Sequence, residues 1–214
     1  MDWDLLLEEA RTLTRDCTLL LPCQYPEQAV GFEGEDFFQG RNEDYRHQLT
    51  VRSGLIARLA GAGDTWTSLI ALPDGEDQGV VLDWRFDPVG LPGDTRWLRS
   101  EPYPSLPPLE AIFRYGSERV GDWLGAVGWD REEPFSPDFP DELGERYDRH
   151  YLEQYPHGRD DVRAVLGGWH NFWPDGDWYL LCNYDFILSV RQPGGTWLEL
   201  YARGEDWLIV PRLD

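Results

Sequence analysis

Two periodicities divide the chain. Trp3, Leu6, Leu7, Ala10 and Leu13 recur at helical spacing through residues 2–16, with Glu8, Glu9, Arg11 and Arg15 between them. That pattern predicts an amphipathic helix, which Asp2 or Asp4 is placed to cap. A short apolar strand, 18–21, follows before Pro22 and Pro26. The stretch 31–44 begins Gly31-Phe32-Glu33-Gly34-Glu35-Asp36-Phe37-Phe38 and reads as an acidic loop with exposed aromatics. From residue 48 the period shortens to two. Strands are expected over 48–59, 65–72 and 79–84, divided by the turn signals Gly61-Ala62-Gly63-Asp64 and Pro73-Asp74-Gly75. Residues 85–108, rich in proline and glycine, are expected to run over the surface. A second helix opens at Ser105-Leu106-Pro107-Pro108, with Ser105 as its cap and a stripe of Leu109, Ile112, Phe113, Val120, Trp123 and Leu124. A shorter helix is expected over 141–155.

The last fifty residues are the most strand-like, with candidates at 163–169, 177–185, 186–191, 196–202 and 206–210. Short Gly- and Pro-bearing turns between them mean an antiparallel meander. Strand blocks and separate helices without βα alternation predict an α+β fold: mainly an antiparallel β-sheet core with a few flanking helices, in one domain, 1–214. A Trp-led strand entering a turn occurs twice, at 65–75 and 177–184. It suggests two related halves, 1–100 and 101–214.

Composition changes the picture in three ways. The 214 residues are 41% hydrophobic and 14% aromatic, which excludes a disordered acidic tail and supports a real core. Eleven Trp, ten Tyr and nine Phe serve mostly that core, and such amphipathic rings also anchor interfaces. Three cysteines (Cys17, Cys23, Cys182) make no paired framework; with no signal-peptide pattern and no apolar run near membrane-span length, the chain reads as reduced and cytoplasmic. Cys17 and Cys23 flank apolar residues and read as buried and inert.

Charge carries the most information. Forty Asp and Glu face 19 basic residues, all arginine, for a net −21. Such a field disfavours nucleic acid and anionic membranes and steers basic partners inward. Residues 1–50 and 101–150 are each −7, whereas 51–100 are −2, so the surplus gathers in the loop-rich segments.

Reactive patterns are sparse. His47, His150, His157 and His170 match no zinc spacing, and HExxH is absent. Asp175-Gly176-Asp177 is turn-like and acidic but lacks the twelve-residue calcium loop. GxSxG is absent, and Leu166-Gly167-Gly168-Trp169 lacks the Lys and Ser/Thr of a phosphate loop. The run from Trp169 to Trp178 offers either a turn between core strands or a sugar-stacking cleft.

Three segments carry a family resemblance: Tyr151-Leu152-Glu153-Gln154-Tyr155-Pro156-His157, Val165-Leu166-Gly167-Gly168-Trp169, and Trp178-Tyr179-Leu180-Leu181-Cys182-Asn183-Tyr184-Asp185. Within 147–210 this order resembles the C-terminal half of the YwqG-like domain family. His170 stands where that family usually has proline, and Phe172-Trp173 replaces an expected glutamine. The resemblance implies an α+β fold with a duplicated antiparallel β-core, an interaction role, and no catalytic residues.

These readings converge on a non-catalytic acidic binding protein of the bacterial immunity type, which neutralises a basic toxin or effector domain by occluding it. Its partner-binding residues are expected at Glu33, Glu35, Asp36, Phe37, Phe38, Glu132, Glu133 and Asp138, acids with neighbouring rings. No cofactor, metal, nucleic acid or membrane enters this expectation. The alternative is a hydrolase or carbohydrate-active enzyme using carboxylates beside the 169–178 aromatics.

Overall fold

The computed structural model describes residues 3–34, 46–56, 65–71, 80–84, 95–126, 141–169, 183–192 and 195–212. Ten strands form one sheet: β1 Arg15–Cys23, β2 Gly31–Glu33, β3 Arg46–Arg52, β4 Trp66–Ala71, β5 Val80–Trp84, β6 Arg96–Ser105, β7 Ala164–Gly167, β8 Asp185–Arg191, β9 Trp197–Arg203 and β10 Asp206–Arg212. Their order is β10-β9-β8-β7-β1-β6-β2-β3-β4-β5, and every pairing is antiparallel. Helices α1 Trp3–Leu13, α2 Leu109–Tyr115, α3 Glu118–Ala126 and α4 Asp141–Glu153 complete the fold. It is an α+β architecture built on an antiparallel sheet with flanking helices. No helix among the described residues is long and apolar enough to cross a membrane.

The centre of the sheet overturns one expectation. Residues 96–105, expected to run over the surface, are the strand β6 that pairs with β1 from Arg15↔Ser105 to Cys23↔Trp97. Prolines 102 and 104 fit there because β6 has its second neighbour only at residues 96–98. In an antiparallel ladder alternate residues point their amides to opposite sides. Leu98 turns its carbonyl toward the β2 side, accepting from Val30 N–H, so Pro102 and Pro104 lack their donors on that same side, past the end of β2.

Other boundaries also shift. The 31–44 segment opens with strand β2, and Phe32 is buried against His47, Trp66 and Trp97 rather than exposed. The expected second helix is two, because the chain breaks at Gly116, where a Cβ would run into the Ile112 carbonyl oxygen. Ser105 does not cap α2. It ends β6 and its hydroxyl accepts from Trp169 N–H at 3.0 Å, while Pro108 holds the N-cap position.

Alternation of side chains gives the sheet two apolar faces. On one, Leu49, Val51 and Leu69 of the β3–β4 wing meet Leu188 and Leu200 of β8 and β9 around a void of about 10 Å³, so the sheet curls upon itself. Leu20, Leu98, Ala164 and Leu166 floor this core. On the other, Cys17, Leu19, Leu21, Val162, Val165 and Trp197 cluster. A separate helical core joins Leu6 and Ala10 of α1 to Ile112, Phe113, Val120, Leu124 and Tyr147. Tyr147 donates from its hydroxyl to the Pro107 carbonyl at 2.7 Å.

Candidate functional site

Polar chemistry lies buried at several points of this frame. After α4, Tyr155-Pro156 starts a 3-10 turn at Pro156–Gly158 that lays His157 on β8 and β9. Its Nε2 shares a 2.6 Å hydrogen bond with Ser189 Oγ. The ring stacks on Tyr155 at 4.7 Å and meets Trp197 edge-on at 4.6 Å. Glu199 pairs across the ladder with Ser189, is fully buried, and accepts from the Tyr201 hydroxyl at 2.7 Å. Burial, then the charges of Tyr147, Glu110, Glu199 and Asp148, push the Tyr151 phenol well above its ordinary value.

The other wing has a counterpart. His47 Nε2 shares a 2.7 Å bond with Thr50 Oγ1, which bonds Ser68 Oγ at 2.6 Å; Nδ1 lies 2.9 Å from the Gly34 carbonyl. Burial lowers the His47 pKa to about 4 against the opposing pull of that carbonyl. An imidazole in contact with a hydroxyl is the geometry of an activated nucleophile. Ser189 and Thr50 are both fully buried, however, and neither is among the described residues lining the void between the wings or the open cleft beside the start of β1. These pairs satisfy polar groups inside the fold.

The carboxylates divide by environment. Glu33 is 7% exposed and accepts from Arg163 Nε at 3.1 Å and Arg96 at 3.4 Å. Glu9 of α1 accepts from Ser117 N–H at 2.9 Å and from the Ser117 hydroxyl, so α1 holds the start of α3. Glu110 is pushed up to about 7 by burial, and Asp148 adds to the shift. By contrast Asp4, Glu8, Glu118, Asp122, Glu142, Glu145, Asp148 and Glu153 on the helices are exposed.

One open cleft of about 400 Å³ lies beside the start of β1, lined by Asp16, Cys17, Thr18, Leu55, Pro102, Leu166, Gly167, Phe186 and Ile187. The Cys17 thiol is pushed up to about 12 by burial and by Asp16, so it stays protonated and unreactive at neutral pH. Among the described residues no group of three or more His, Cys, Asp or Glu is arranged to hold a metal ion.

Of the eight residues expected to meet a partner, Glu33 is drawn into the fold by its two arginines. Glu35, Asp36, Phe37, Phe38, Glu132, Glu133 and Asp138 lie outside the described residues. So does most of the 169–178 run, and the expected strand at 177–185 is described only from residue 183. Trp169 itself is core: its indole N–H donates to the Leu13 carbonyl, and Arg15 lies 3.5 Å over its ring. Gly167 and Gly168 hold φ of +71° and +81°, and a Cβ on Gly168 would lie 2.7 Å from Ser105 Cβ and 2.8 Å from Cys17 Cβ. Gly168 thus permits close strand approach, whereas Gly167 supplies the left-handed backbone alone. Sequence reading missed the His157–Ser189 pair, because 32 residues separate partners that only the β7–β8 ladder unites. Comparison with family models, curated proteins and solved structures finds no match to this chain.

Proposed function

We propose that the chain is a cytoplasmic, acidic binding protein of the immunity type, which occludes a basic protein domain. The observation that carries this reading is where the charge sits. The ten strands hold seven acids and eight arginines, a net +1, while the four helices hold eleven and five, a net −6. The remaining −16 lies in connections and termini. The strands are thus charge-balanced while the helices and connecting segments carry the negative surplus, a distribution that favours encounter with a cationic surface.

The proposal includes two related halves, with the division moved from residue 100, which falls inside β6, to the connection between β5 and β6. Val30 donates to β6 and accepts from Arg52, as Arg163 donates to β1 and accepts from Arg191. His47-Gln48-Leu49-Thr50-Val51-Arg52 and Phe186-Ile187-Leu188-Ser189-Val190-Arg191 carry a register irregularity at the same step, 47/49 and 186/188. Trp66–Ala71 then corresponds to 197–202, with an arginine over each tryptophan at 5.0 and 5.9 Å. Tyr-Pro opens the 3-10 turn before β2 and the one before β7. A duplicated core of this kind is what the YwqG-like resemblance implies.

The halves differ chiefly between β6 and β7, where residues 106–155 add α2–α4 with twelve acids against five arginines. Glu132, Glu133 and Asp138 fall in that insertion, and function is grafted onto folds at such additions. These acids and the Glu35–Phe38 segment are the proposed partner-contact residues. The test is association kinetics with a basic protein domain, taken from an adjacent reading frame where one encodes it. Reversing the acids Glu35, Asp36, Glu132, Glu133 and Asp138 to lysine and, as a second set, the helix acids Glu118, Asp122, Glu142 and Glu145 should each slow association about tenfold or more at low salt; unchanged rates overturn the assignment.

A further inference from the structure

We infer that the cleft beside the start of β1 seats a basic side chain of the partner, its aliphatic stem between Leu55, Leu166, Phe186 and Ile187 and its charged head against Asp16. This rests on the proposed binding of a basic protein and assigns a place to one anchor.

The cleft is preformed by the centre of the sheet. Its walls come from β1, β6, β7 and β8, with Leu55 supplied by the 3-10 turn Ser53–Leu55. At about 400 Å³ it falls within the roughly 300–1,000 Å³ of ligand-sized clefts. Four apolar side chains suit a methylene stem, which lysine and arginine bury while the charge stays at the rim.

The charge is set as the occupant requires. Among the strand carboxylates, Glu33, Glu101 and Glu199 are each engaged by an arginine or a tyrosine, whereas Asp16, Asp185 and Asp206 are exposed, and of these three only Asp16 is among the described residues lining the cleft. Asp16 is exposed and makes no hydrogen bond or ion pair among the described residues, and no arginine is described in the cleft lining. The Cys17 thiol is neutral, so it adds no competing charge. An anion would meet Asp16 and the net −21 without compensation.

Methyl and amide NMR titration with a blocked tripeptide carrying one central lysine tests the inference. Counterparts with acetyllysine and with glutamate serve as comparisons. Shifts at Thr18, Leu55, Leu166 and Ile187 with the lysine peptide alone are expected. Asp16→Asn should weaken that binding at least fivefold, and Thr18→Phe, which fills the cleft but keeps the carboxylate, should abolish it. Leu55→Trp fills the same space from the opposite wall should Thr18→Phe disturb β1. Shifts that spare these four residues, or that persist in the filled variants, overturn the cleft assignment. If reversal on α3 and α4 still slows association with the basic partner while the peptide ignores the cleft, only this inference falls. If neither effect is seen, the parent reading falls with it.

Discussion

A buried histidine and a half-buried glutamate make opposite demands on pH. His47 is held near pKa 4 against an ordinary 6.5, so the folded protein binds it neutral and the unfolded chain takes up the proton first. Its stabilising contribution is complete above pH 6.5 and drains away as pH falls toward 4, by about 3 kcal/mol in total. Glu110 is raised from 4.5 to about 7; its penalty is absent below 4.5 and grows as pH rises through 7, again by about 3 kcal/mol. Substitution separates them. Glu110→Gln should stabilise at pH 8 and change little at pH 4.5. For His47→Phe, which borrows the residue standing at the same strand position in β8, the gap to wild type should narrow by about 3 kcal/mol from pH 7 to pH 4. Urea unfolding across that range reads both, and parallel curves for variant and wild type would refute the linkage.

At the scale of elements, glycines 168 and 204 share a left-handed backbone but not a neighbourhood. Gly168 follows β7 at φ +81°, with Ser105 and Cys17 where its Cβ would be. Gly204 turns β9 into β10 at φ +60° with nothing within 4 Å. Gly204→Ala should therefore cost only the conformational penalty, about 1–2 kcal/mol. Gly168→Ala adds overlap between two strands and the turn and should cost at least twice as much, measured as the shift in urea midpoint at constant slope. Equal costs would mean that the strands yield freely. Elements were legible in the sequence wherever one periodicity ruled alone. Strands 65–72, 186–191 and 196–202 and the helix at 141–155 all emerge within a residue or two. The central β6 was hidden because Pro102 and Pro104 read as breakers until a neighbour's length shows which side their missing donors face. Glu33 read as a free acid for the same reason. Its partner Arg163 lies 130 residues away, and no local pattern reports that distance. The acidic surplus was legible as a sum, whereas its absence from the strands required the register.

For the whole molecule, the strand order makes the two proposed halves interdependent. β2 bonds to β6 rather than to β1, and β7 bonds to β1 rather than to β6, so each half places its meander beside the other half's central strand. Neither can complete its sheet alone. Dividing the chain after residue 94 gives fragments of −11 and −10, each lacking the strand that joins its meander to its centre. Each fragment alone should show no cooperative unfolding transition, and the equimolar mixture should regain one. Two anions of that size repel, so reconstitution should strengthen as salt rises from about 0.01 M, where the screening length is near 30 Å, to about 0.15 M, where it is near 8 Å. Association with a basic partner should weaken over the same interval. These opposite salt dependences separate the force that assembles the fold, apolar burial working against like charge, from the force proposed to bring a partner to it. A fragment that folds cooperatively by itself would show that the strand exchange is incidental to stability, and a complex that tightens with salt would show that its partner is not cationic.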